Sequence, residues 1–563
     1  MITLANAKYH MGFMNQFSFR WGWTAAAILA ALLAFVPIAA VMSAFFGVDS
    51  GGAQHIWSTV MPTYVVNTLI LMGIVGIIAT FFGVATAWIV TAMDFPGRRI
   101  LSWLLPLPLA APAYIIAYLY TDLLEFSGPI QTALRSVFNV SVASQFFPNI
   151  RSVPGAGVIM ALVLYPYVYL LARASFAAQS RSQFLAARSL GMSPTEAFFR
   201  VVLPGARPAI AGGLALALME TLADFGVADY FAIPTLSTGI FRTWLAMGDR
   251  VAAMQIAGVM LLFVILLVAV EAISRRGRVT SNDRLSSGKP PLKLSFFQSA
   301  IAIGFCGIPV AIGFVIPVLV LGVYAVAQGD PQSFVQLAEY AWNSLRVALI
   351  TAFVAVMIAV LLAYAQRIDN QTIGTRVRLP SVLLRGGVRV STLGYALPGA
   401  LLAVGLLAPL GALDRSLAIF LRDTFAINQG LILSGTIALL VYALVVRFLT
   451  VSYNSVSSGL EKISPSMDAA AQALGANRWR LLRQVHVPLL MPSLAAGGAL
   501  VFVDVMRELP ATLILRPFNF ETLATRVYRL ASDERIAEAS SAALIIIVLG
   551  LLPIALLQRA SRH

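Results

Sequence analysis

Apolar runs of about twenty residues recur along almost the whole of this chain, which limits its fold more than any other feature of the sequence. A run of that length is what an α-helix needs to cross a hydrocarbon core about 30 Å thick. We count about twelve candidate spans: 23–46, 67–92, 101–121, 155–176, 209–230, 252–274, 297–325, 344–365, 388–410, 430–452, 493–514 and 538–558. Charged residues make up 11% of the 563, against about a quarter in soluble domains. The expected class is an all-α integral membrane protein. Several spans carry proline (Pro106, Pro108, Pro112, Pro398), which neighbouring helices tolerate by satisfying the freed carbonyls. The first run exceeds a signal-peptide core and is expected to be a retained span.

The net charge of +15 belongs to the loops. With a cytoplasmic N-terminus, most of the 39 Lys and Arg fall on cytoplasmic segments, as the positive-inside rule requires. The C-terminus is then cytoplasmic too. The exception is the last outer loop, with Arg516, Arg526, Arg529 and Arg535, for which an outer-side partner is one explanation. No basic patch interleaved with exposed aromatics points to nucleic acid. The one cysteine, Cys306, lies in an apolar run, and the four histidines (His10, His55, His486, His563) are scattered, with no metal-ligand spacing.

The charged, Ser-, Gly- and Pro-rich stretch RRGRVTSNDRLSSGKPPLK begins at Arg275 and reads as a flexible connection. It divides the chain into a first six-span domain (1–274), a cytoplasmic linker (275–296) and a second six-span domain (297–563). The halves repeat each other. Ala186–Ala187 matches Ala470–Ala471, Leu190–Gly191 matches Leu474–Gly475, and Pro204 and Pro208 match Pro488 and Pro492, all at an offset of 284. The same register pairs Gly213 with Gly497, Thr238 with Thr522, Arg242 with Arg526 and Asp249 with Asp533, while Asn67 pairs with Asn343 at a slightly different offset. Six spans per copy is an even number, so the copies enter from the same side as parallel repeats.

Both repeats contain a soluble-looking segment, 186–210 and 470–494. In the first, Ser193, Pro194 and Glu196 spell a capping box, and the helix is expected to stop at Pro204. Phe198, Val201 and Val202 form its apolar face. In the second, Asn477 takes the cap position, and Trp479, Leu482 and Val485 give a similar face among Arg478, Arg480 and Arg483. Gly191 and Gly475 break the preceding helix. A single amphipathic helix of this kind suits a lipid surface; two matched copies favour a two-fold protein partner.

The paired loops resemble the cytoplasmic coupling (EAA) loop of binding-protein-dependent ABC importer permeases. Its core of two alanines, a glycine four residues on and a downstream proline is met by Ala186, Ala187, Gly191 and Pro204, and by Ala470, Ala471, Gly475 and Pro488. The family's leading Glu is absent, with Leu185 and Ala469 in its place. Further on, RELPATLILRPFNFETLATRVYRLASDE from Arg507 and ADFGVADYFAIPTLSTGIFRTW from Ala223 resemble ferric-iron permeases, which are often fused double-length chains. The resemblance implies the type I ABC importer permease fold in a bacterial inner membrane. It also implies two ABC ATPase subunits, a periplasmic substrate-binding protein, and ferric iron as cargo. Coupling to the ATPases would fall on those eight residues with Glu196, Phe198, Trp479 and Leu482. Relatives for thiamine, polyamines, sulfate and phosphonates share the loops.

No ATP site is expected in this chain: of Lys8, Lys289, Lys293 and Lys462 only Lys289 follows Gly, and Pro290 comes next, so no Walker A exists. ATP and Mg belong on the partner subunits, and the chain needs no cofactor of its own. Glu220 and Asp224 in one span match Asp504 and Glu508 in the other, four residues apart and so expected on one helix face. Carboxylates at mid-bilayer face an interior or a wet cavity. With Arg507 they are candidate pathway or gate residues, and oxygen ligands would suit ferric ion. A structural role for them, paired with arginine, is the stronger alternative. The tyrosines Tyr114, Tyr118, Tyr165, Tyr167 and Tyr169 are expected to pack. An ion-coupled secondary transporter shares the span count and the repeat but has no need of paired coupling helices. A membrane enzyme lacks any nucleophile or metal motif here.

Overall fold

The computed structural model describes residues 2–46, 52–138, 149–178, 181–274, 292–327, 334–371, 379–426 and 432–560. Most of the expected linker, 275–291, lies outside the described residues, as do three of the four histidines' side chains. The described chain is all-α. Its only strands are Met93–Asp94 and Leu292–Lys293, a two-residue parallel pair that fastens the last part of the expected linker to the end of the Met61–Ala92 helix.

Ten described helices are long and apolar enough to cross a membrane. A further apolar pair, Arg98–Ala110 and Ala113–Val137, is bent by 91°, where Pro106, Pro108 and Pro112 interrupt the amide ladder, and makes an eleventh crossing if the two helices form one span. The last helix is Ile536–Ala560. The chain is thus a multi-pass membrane protein with the two-repeat architecture expected from its sequence. The span expected at 388–410 is displaced: an amphipathic helix, Leu379–Ser391, precedes the crossing Gly399–Phe425.

Two compact units form, and neither is a continuous stretch of chain. One joins Met1–Phe46 to Trp342–Phe520; the other joins Gly47–Ala341 to Glu521–His563. In the first, the Ile2–Ser43 helix lies against Leu379–Ser391 and Gly399–Phe425, and Ile437–Glu461 packs on Val487–Met506. Gly405 allows the close approach: a Cβ there would sit 2.6 Å from the Pro37 carbonyl. In the second, Met61–Ala92 runs along Val153–Ala178, and Leu203–Ala223 packs on both. Gly213 is the contact point of that last helix, because a Cβ would meet Val168 Cα at 2.6 Å and Tyr167 O at 2.8 Å. Its counterpart Gly497 lies against Ser452 and Ser455, which stand 284 residues after Val168 and Leu171.

The repeat is therefore visible in packing, with one correction. Thr235 and Thr238 form a capping box on Leu236–Phe241, and Thr522 and Thr525 form the same box on Leu523–Ser532. Thr522 corresponds to Thr235, not Thr238, so Arg242 corresponds to Arg529 and not to Arg526. The second copy carries three extra residues in the turn before this box, around Asn519, whose φ is +58°.

Candidate functional site

The two soluble-looking segments fold alike. The helix Arg181–Ser189 ends where the Gly191 amide bonds to Arg188 O (3.1 Å) and the Met192 amide to Ala187 O (3.2 Å). The helix Pro465–Ala473 ends the same way, with Gly475 to Gln472 O (3.0 Å) and Ala476 to Ala471 O (3.0 Å). This is the Schellman arrangement, which needs a left-handed residue. Gly191 has φ +87° and Gly475 +82°, with open space around both. Ser193 then caps the next helix: its Oγ accepts from the Glu196 amide (3.2 Å) while Glu196 Oε2 accepts from the Ser193 amide (2.9 Å). In the second copy Asn477 Oδ1 accepts from the Arg480 amide at 2.8 Å.

Neither helix stops at its proline. Each widens into one π-turn, Phe198–Val202 and Leu482–His486, closed by Leu203 N–H to Phe198 O and Val487 N–H to Leu482 O. It then continues as a span, Leu203–Ala223 or Val487–Met506. Pro204 and Pro488 sit just inside these spans. Proline cannot donate to the carbonyl four residues back and crowds it; a turn with i→i+5 bonding at that point absorbs both problems. Each segment thus runs without a break into a membrane helix.

The side chains divide into two sets. Ala186, Ala470 and Trp479 are exposed, Ala187 and Leu482 are buried, and Ala471 is half-buried. Phe198 turns inward, its ring 4.8 Å from Trp88 and 6.1 Å from Phe176, with Phe184 5.7 Å from Trp88. The most exposed large apolar residues are Leu190 (80% exposed), Phe199 (63%), Leu474 (89%) and Trp479 (64%). Leu190, Leu474 and Phe199 were not among the candidates. The Leu–Gly pair common to both copies is the sequence signal for the first two, while the π-turn that rotates Phe199 outward leaves none.

Beneath the second segment lies a polar cluster with no counterpart in the first. Asp468 Oδ2 accepts from Arg367 Nε at 2.9 Å, and Asp468 Oδ1 lies 2.7 Å from His486 Nε2. Arg367 also donates to the carbonyls of Leu460 and Ile463, and Tyr364 donates to Arg478 O at 2.6 Å. At the matching places the first copy has Phe184 for Asp468 and Val202 for His486. Trp88 takes the role of Tyr364, each ring packing on its own copy's π-turn.

The intramembrane acids do not pair on helix faces as expected. The Leu203–Ala223 helix ends before Asp224, and Val487–Met506 ends before Glu508. Each carboxylate instead caps the short helix that follows. Asp224 accepts from the amides of Val227 (2.9 Å) and Ala228 (3.3 Å); Glu508 accepts from Ala511 (2.8 Å) and Thr512 (3.0 Å). Glu508 also pairs with Arg447 at 2.9 Å. Arg507 pairs with Asp504 at 2.6 Å, and Glu220 is half-buried on the first helix. Tyr165 and Tyr169 donate to Leu105 O (2.7 Å) and Ser102 O (3.2 Å), fixing them as packing residues. The basic residues of the last loop are engaged within the chain: Arg529 with Glu521, Arg535 with Glu538, and Arg526 over the Tyr340 ring.

Each repeat thus carries one amphipathic segment that is continuous with a span. The chain belongs to the family described as binding-protein-dependent transport system inner membrane component, which matches it twice, at 79–279 and 372–562, with one of the two amphipathic segments in each match. It is 27% identical to the Fe(3+)-transport system permease protein FbpB 2 of Haemophilus influenzae over 505 residues, covering 88% of this chain and 89% of that one. It is 23% identical to FbpB 1 of the same organism, covering 88% and 77%. PhnV of Salmonella typhimurium, named for 2-aminoethylphosphonate transport, is 31% identical over 149 residues, 26% of this chain and 56% of that protein.

Proposed function

We propose that this chain is the membrane-spanning subunit of an ATP-driven importer that carries ferric iron, handed over by a periplasmic binding protein, into the cytoplasm. The observation that carries the cargo assignment is coverage. The likeness to the Fe(3+) permease runs through nearly the full length of both double-length chains, whereas the phosphonate relative matches about a quarter of this one.

The energy comes from two ABC ATPase subunits, which hold ATP and Mg. Each grips one coupling segment on the cytoplasmic side, where both termini also lie. The exposed apolar residues Leu190 and Phe199, and Leu474 and Trp479, are the surfaces offered to them. Because each segment runs without a break into a span, closure of the ATPases would tilt those spans and switch the access of the pathway. On this reading Asp224 and Glu508 fix the helix breaks beside the pathway, and Glu220, Asp504 and Arg507 border it, rather than ligating cargo.

The test is radio-iron uptake by iron-starved native cells with and without this chain. Loss of ATP-dependent uptake, restored by the intact gene but not by a Gly191→Leu/Gly475→Leu variant, is the expected result. Unchanged uptake in cells without another iron importer removes the iron assignment, and thiamine and polyamines are then assayed. Failure of any ATPase to co-purify would favour an ion-driven carrier.

A further inference from the structure

We propose that Asp468 is a positioning residue for energy coupling, the joint through which movement of the second ATPase-facing segment enters the membrane helices. The proposal rests on the reading of the two segments given above.

Asp468 stands in Pro465–Ala473 and is buried, while its neighbours Met467, Ala469 and Ala470 are exposed. Its two oxygens hold two different spans. Oδ2 takes Arg367, near the end of Phe334–Gln371; Oδ1 takes His486, in the π-turn that opens into Val487–Met506. Arg367 adds a third span, because its remaining donors reach Leu460 and Ile463 at the end of Ile437–Glu461. One carboxylate therefore ties the segment to the ends of three membrane helices.

The bonds are directional and charge-assisted, so they fix angle as well as distance. An ionised carboxylate accepts only, so His486 donates from Nε2. Its Nδ1 is buried with no hydrogen-bond partner among the described residues, which leaves Asp468 as the hydrogen-bond partner that orients the ring, packed edge-on against Tyr364. The first copy makes the same connection with Trp88, Phe176, Phe184 and Phe198, rings that pack without directional bonds. The two segments are thus attached by unlike joints: a packed aromatic one that tolerates sliding, and a polar one that transmits rotation.

The test uses the complete transporter, with its ATPase subunits and iron-loaded binding protein, in proteoliposomes. ATP hydrolysis and radio-iron uptake are read from the same vesicles. Asp468→Asn keeps the shape and removes the charge; it is expected to retain bound ATPases and basal hydrolysis while iron moved per ATP falls about tenfold. Asp468→Glu restores the charge, and a cavity of about 170 Å³ lined by Tyr364, Arg367, Gln472 and Arg478 gives room for the added methylene. It is expected to couple within about threefold of wild type. Should Asp468→Asn fail to assemble, His486→Gln reads the same joint from the other side and is expected to lower iron per ATP with the ATPases still bound. An unchanged ratio in Asp468→Asn, or in His486→Gln where that is the variant read, overturns the proposal. If the wild-type chain binds no ATPase at all, the reading of the segments fails first and takes the proposal with it.

Discussion

Replacing Arg447 by methionine separates a buried ion pair from its surroundings in a way that can be calculated in advance. The Arg447 side chain is 10% exposed and that of Glu508 2%. Removing one partner of a buried pair costs about 3–5 kcal/mol, chiefly because the other charge is stranded. Glu508 keeps three donors, the amides of Ala511 and Thr512 and the Thr512 hydroxyl, so the loss sits at the low end, about 3 kcal/mol. That is roughly a hundredfold in the folded-to-unfolded ratio. Neutralising the stranded acid should recover much of it: Arg447→Met/Glu508→Gln is expected to be about 1.5–2 kcal/mol more stable than Arg447→Met alone. The assay is equilibrium unfolding of the purified chain in mixed micelles titrated with SDS, on the wild type, both single variants and the double. If the two single effects add within about 0.5 kcal/mol, the residues do not interact and the reasoning fails.

Three further outcomes follow from the geometry. Gly213→Ala drives a Cβ against backbone atoms and should destabilise by about 1–3 kcal/mol, whereas Gly497→Ala meets Ser455 Cβ at 3.0 Å and should cost about 1 kcal/mol or less in the same titration. Ser193→Ala removes one arm of a capping box and should cost about 1 kcal/mol, read as faster amide exchange at Glu196. Gly191→Leu and Gly475→Leu find open space but force φ near +85°, at about 1–2 kcal/mol each; they should leave the fold intact and lower transport per ATP, and normal transport by both would remove the segments from the coupling path.

The membrane helices were legible because apolar length is a local property that needs no knowledge of neighbours. So were the Schellman turns at Gly191 and Gly475 and the Ser193 capping box, each written within a few consecutive residues. The helix breaks at Asp224 and Glu508 were not. Spacing of four places two residues on one face only if the helix continues, and here each carboxylate ends one helix by capping the next. The prolines misled for a related reason: a stop and a π-turn share the same missing amide, and only the bonding around Leu203 and Val487 distinguishes them. The register slip at Thr522 escaped because matching arginines stand at both offsets, Arg526 and Arg529. The joints under the segments were the least readable part. Phe184 and Asp468 acquire meaning only from Trp88 and Arg367, about a hundred residues away in each case.

Synthesis meets the two discontinuous units in an unusual order. The opening helix, Ile2–Ser43, leaves the ribosome before any of its packing partners, which begin at Trp342. The unit assembled from Gly47–Ala341 is finished only when Glu521–His563 arrives. Neither unit can close until most of the polypeptide exists. A nick within 275–291 would release no self-sufficient half, because each unit would then consist of two polypeptides. For this architecture, joining the repeats in one chain keeps early and late partners at high effective concentration until both units are complete.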